Sequence, residues 1–86
     1  MPEHLVIIVD RDFLPNRVDA VVGDYVVWEN RTGEVHSATR ADEPAFDTGE
    51  IKPGYRSDPI KITTGGELYY ATVGLGEFTG LIKVED

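Results

Sequence analysis

Hydrophobic and polar positions alternate with a period of two along most of this chain, the repeat of an extended strand with one face buried. Over residues 3–10, Leu5, Ile7 and Val9 form a wholly apolar face, while His4, Val6, Ile8 and Asp10 form a mixed one, which predicts a strand well inside a sheet. Residues 11–16 read as a turn or bulge with Phe13 in the core, because Pro15 lacks a backbone donor and biases Leu14 toward extended backbone. Val18, Ala20 and Val22 share the inner face of a short strand. Gly23-Asp24 then predicts a tight turn into 25–30, where Val26 and Trp28 face the core and Tyr25, Val27 and Glu29 face away. Phe46 and Ile51 read as core plugs between turns, and Pro53-Gly54 suits the centre of a type II turn. Ile60 and Ile62 alternate with Lys61 and Thr63 in a half-buried strand over 57–64. Residues 64–67 read as a hairpin connection to 68–73, and Leu81-Ile82-Lys83-Val84 closes the chain.

Short strands at this spacing, divided by Gly, Pro and Asp, predict an all-β antiparallel sandwich or barrel of seven or eight strands. No window of ten or more residues keeps a helical apolar stripe free of Gly and Pro. The 86 residues make one domain, 1–86, without cysteine and with two histidines, so disulfide, zinc-finger and iron–sulfur frameworks are excluded and packing must hold the core. Sixteen acidic against eight basic residues give a net charge of −8, which repels phosphate backbones and anionic lipid. Neither nucleic acid nor membrane is expected as a partner, and a monomer is expected. No signal peptide is legible, which predicts either a cytosolic protein or a mature or excised domain.

The motifs in order carry a resemblance. They are Phe13-Leu14-Pro15 ahead of a strand; 23–30 ending in Trp28-Glu29-Asn30; a His six residues after that Asn; Phe46-Asp47-Thr48-Gly49 with Lys52-Pro53-Gly54; and Tyr69-Tyr70-Ala71 through Phe78-Thr79-Gly80 into a final strand. Over nearly its whole length the chain resembles the cupredoxins, in particular plastocyanin- and pseudoazurin-like domains. The resemblance implies a Greek-key β-sandwich and, usually, a periplasmic, lumenal or extracellular home. It also implies four copper ligands, a His after the Trp strand and a Cys, a His and a Met around the last loop. The first falls on His36, the Cys position on Ala71, the second His on Gly74 or a neighbour, and the Met on Phe78.

A blue-copper site takes its affinity and electron path from a Cu–thiolate bond, and this sequence has no thiolate. The leading expectation is therefore a copper-free cupredoxin-like domain acting as a non-catalytic binding or structural module, with no cofactor. The alternative is a metal-binding protein in which His36 joins carboxylates such as Glu34 or Glu77 to hold non-blue copper or zinc. A third reading is an engineered, ligand-deleted variant of a plastocyanin-like electron carrier. Leu75 and Phe78 either form an apolar docking surface for a protein partner, ringed by Glu34, Asp42, Glu43 and Glu77, or turn inward to fill the empty pocket. Enzymatic signals are lacking: Ser37 beside His36 points to the opposite strand face, and Gly74, Gly76 and Gly80 do not have phosphate-loop spacing. His4 is expected at the surface, and Asn30-Arg31-Thr32 spells a glycosylation acceptor of the kind that arises by chance.

Overall fold

The computed structural model describes residues 2–72 and 78–85. Among them it forms nine strands: β1 (Glu3–Val9), β2 (Asp12–Leu14), β3 (Arg17–Val21), β4 (Tyr25–Asn30), β5 (Thr39–Arg40), β6 (Phe46–Asp47), β7 (Ile60–Lys61), β8 (Gly66–Ala71) and β9 (Thr79–Glu85). They build two sheets, of order β2-β1-β4-β7 and β3-β9-β8-β5-β6, which enclose one core. The all-β sandwich expected from the alternation is what forms. Two strands, β2 and β6, form in stretches expected to be turns. Arg11 takes a positive φ of 65°, which reverses the chain so tightly that Asp12 pairs with Val9 and Leu14 with Ile7.

Strand partnership departs from the local reading. β1 runs parallel to β4, and β3 parallel to β9, two parallel pairs in what was expected as an antiparallel sandwich or barrel. The turn at Gly23 is tight, with φ at 101° and the Asp24 N–H donating to the Val21 carbonyl at 3.1 Å. Yet β3 and β4 on its two sides belong to different sheets, and so do β7 and β8, which residues 62–65 connect. Both connections are crossings between layers, the second where a hairpin was expected. The Pro53-Gly54 turn forms as expected, with Gly54 at φ 83° and the Tyr55 N–H donating to the Lys52 carbonyl at 3.0 Å.

Alternation fixes two faces of a strand without saying which is inner, and in β1 the apolar face is the outer one. Leu5 is 38% exposed, while Val6 and Ile8 are fully buried. The reason is register: Val6 lies level with Trp28 of β4, so the face it shares with Ile8 meets the second sheet. Trp28 is the centre of the core. Its ring stacks on Phe46 at 5.6 Å and meets the Tyr70 ring edge-on at 5.3 Å. Phe13 packs 4.7 Å from both Tyr70 and Phe78.

Candidate functional site

The end of the sandwich that carries His36 is organised by a buried amide. β4 ends in Asn30, fully buried, whose Nδ2 donates to the carbonyls of Glu34 and Ile51, both at 2.7 Å. Its Oδ1 accepts from the Thr32 N–H at 2.9 Å and the Thr32 hydroxyl at 2.7 Å. Ile51 in turn exchanges both backbone hydrogen bonds with His36, at 2.7 and 3.2 Å. A satisfied buried amide of this kind specifies one loop geometry, since every alternative strands its donors. Nδ2 is also the atom that N-glycosylation would modify, and here it is engaged on both sides inside the protein.

His36, held by that bridge, is buried. Its Nδ1 lies 3.1 Å from the hydroxyl of Thr72, which is itself buried and 3.5 Å from the Ser37 N–H. The Thr72 N–H donates to the Phe78 carbonyl at 3.2 Å, and the Phe78 ring meets the imidazole edge-on at 5.6 Å. Phe78 is thus half-buried and turned inward onto Phe13 and His36. The side chain beside the imidazole is that of Thr72, not of Ala71, to which the resemblance assigned the thiolate. The strand pattern contains this signal: Leu68, Tyr70 and Thr72 are buried in alternation, whereas Tyr69 is exposed and Ala71 only half-buried. Gly74, Leu75 and Glu77 lie outside the described residues.

Other candidates are spent locally. The Glu34 side chain is exposed, and no group of three His, Cys, Asp or Glu side chains suited to a metal occurs among the described residues. Beside His36 opens a cleft of about 430 Å³ lined by Val35, Ser37, Thr39, Asp47 and Glu50. Its Asp47 Oδ1 already accepts from the Gly49 N–H at 2.8 Å and the Thr39 hydroxyl at 3.2 Å. The Ser37 hydroxyl contacts that of Thr39, at 3.3 Å, rather than the imidazole. His4 is half-buried instead of free at the surface, its Nε2 2.9 Å from the Asp24 carboxylate.

Among the described residues, three groups titrate away from their ordinary values. The His4 hydrogen bond, and then the Val21 N–H, hold the Asp24 carboxyl below the usual carboxylate range. Arg56, and then Arg31, do the same for Glu29. Burial pushes the Tyr70 phenol up to about 12, partly offset by the nearby Trp28 indole. Neither the Tyr70 hydroxyl nor the Trp28 N–H makes a well-aligned hydrogen bond among the described residues.

No protein-family model and no curated protein sequence matches the chain. Solved structures do. A copper(I) form of an amicyanin variant with alanine in place of a methionine superimposes at a TM-score of 0.87, with 20% identity, over 99% of this chain and 84% of that one. An oxidised amicyanin variant with lysine in place of a methionine superimposes at 0.86, with 21% identity, over 96% and 82%. The fold is that of the cupredoxins. At this identity the likeness speaks for the fold alone, so the copper chemistry has to be judged on the residues present. They do not fit a type 1 cupredoxin centre: the chain has no cysteine, and a threonine hydroxyl and a phenylalanine ring stand against the imidazole.

Proposed function

We propose that this chain is a cupredoxin-like domain working without copper, as a non-catalytic binding or structural module. The observation that supports it is the Thr72 hydroxyl against His36 Nδ1 at 3.1 Å, under the ring of Phe78. A neutral hydroxyl is a poor ligand for a soft or borderline metal compared with a thiolate. As a hydrogen-bond partner it ties up one imidazole nitrogen and gives a buried polar ring the partner it needs. The contact surface of the module is the end of the sandwich around His36, where Val35 is 45% exposed beside a cleft with polar walls.

The test is a calorimetric titration of the metal-free protein with Cu(II) and then Zn(II) at neutral pH, repeated on His36→Ala. Weak uptake that is indifferent to His36 is the expected result. Tight one-to-one binding abolished by His36→Ala would overturn the reading in favour of a non-blue metal protein.

A further inference from the structure

β3 is an edge strand of the five-stranded sheet, paired on one side only, with β9. Its hydrogen-bonding directions follow from its neighbours. The Asn16 carbonyl accepts from Leu81 and the Val22 N–H donates to Glu85, so even-numbered residues here point to β9 and odd-numbered ones point away. Of the outward set, Val21 is already satisfied: its N–H donates to the Asp24 carboxylate at 3.1 Å and its carbonyl accepts from the Asp24 N–H at 3.1 Å. Pro15, at the other end, has no N–H. The backbone groups of Arg17 and Asp19 are left, with no partner among the described residues.

The edge is also open. A hollow of about 460 Å³ separates Arg17, Val18 and Asp19 from Glu3, His4 and Leu5 of the opposite sheet. The Arg17 and Asp19 side chains stand on the outer face, paired with each other at 3.1 Å and 54% and 73% exposed. Native proteins blunt edges with charge, and one charge of either sign does that. An arginine and an aspartate two residues apart do something more specific: they make the strand self-complementary.

The geometry points to a second copy of this chain as the occupant of this edge, joined by antiparallel β3–β3 pairing about a two-fold axis at Val18. In that register Val18 faces Val18 of the other copy, and each Arg17 faces the other's Asp19. Arg17 and Asp19 are the residues with free, outward-pointing backbone groups, so they fall on hydrogen-bonded positions, and the ladder uses those groups and no others. The same residues bring opposite charges directly across from each other, the stabilising cross-strand arrangement. A register displaced by one residue on each chain sets Asp19 against Asp19 and is disfavoured. The contact is small, and each copy carries a net charge of −8, so the association is weak, with a dissociation constant on the order of 0.1–1 mM at physiological salt.

Sedimentation equilibrium up to about 1 mM protein in about 0.15 M salt tests this. The mass of the native protein is expected to rise from 9.5 kDa toward twice that value. Arg17→Asp and Asp19→Arg, each alone, place like charges across the axis and are expected to weaken association about tenfold or more. An equimolar mixture of the two variants restores both attractive pairs, and its association should return to the native level. Both positions are exposed, and unchanged circular dichroism confirms that each variant folds. A native mass that stays at that of one chain overturns the inference. So does association that the single reversals leave unchanged, or that the mixture fails to restore.

Discussion

The ring of Tyr70 lies across the backbone of its register partner, Gly80, so closely that a β-carbon there would stand 2.5 Å from the phenol oxygen. Only a residue without a side chain leaves room for the ring that joins Phe13, Trp28 and Phe46. Gly80→Ala therefore forces the ring out of its place, and is expected to lower stability by about 1–3 kcal/mol, as overpacking does. Urea unfolding checks this. Gly80→Ala combined with Tyr70→Leu should cost less than the two changes summed, because the clash is then gone.

Burial of the Tyr70 phenol has a consequence at high pH. Its folded value, about 12 against the ordinary 10.0, favours the neutral form in the folded state. The unfolded chain therefore sheds this proton first as pH rises, and the group destabilises the fold progressively between those two values. The loss is at most about 2–3 kcal/mol. Tyr70→Phe removes that component, so the difference in urea midpoint between the two proteins should shift in favour of Tyr70→Phe as pH climbs above about 10. A difference that stays constant would contradict the assignment.

Acid acts through Asp24 with the opposite sign. Its carboxyl is held below the ordinary 3.8 by His4 and the Val21 N–H, so its contribution is present above that value. It is lost as pH falls through the folded pKa, because the unfolded chain then binds the proton more readily. Asp24→Asn should unfold more readily than the native protein at neutral pH. Its stability should also fall less steeply below about pH 4, measured by unfolding across that range.

Two cysteine substitutions separate Thr72 from Ala71. Thr72→Cys puts a thiol where the hydroxyl now meets His36 Nδ1, whereas Ala71→Cys extends from the neighbouring residue, whose side chain does not reach the imidazole. Cobalt(II), which is redox-inert under these conditions, should bind Thr72→Cys with a thiolate charge-transfer band that depends on His36. Its affinity for Thr72→Cys should exceed that for Ala71→Cys by about tenfold or more. Equal binding by the two would mean that Thr72 holds no special place beside the imidazole.

Much of the fold is legible in the sequence because its signals are local. Pro53-Gly54 dictates its own turn, since one residue has a preset φ and the other tolerates a positive one. Trp28 is central to the core because no other position in a strongly alternating strand carries so large an apolar ring. The site was less legible. Counting from the paired aromatics puts the thiolate position on Ala71. Carrying the buried alternation of Leu68 and Tyr70 one step further puts it on Thr72, the residue that the structure brings to His36.

The sequence by itself determined that this cupredoxin fold has no thiolate, that it is all-β, and where its tight turns lie, because composition and backbone preference need no partner to act. Tertiary structure alone decided which face of β1 is inner, which sheet each strand joins across the turn at Gly23 and the connection over residues 62–65, and that Thr72 and Phe78 close over His36. Those outcomes depend on register and hydrogen bonding between residues far apart in the chain. A period of two is the same whichever face is buried, so only the partner strand breaks the tie.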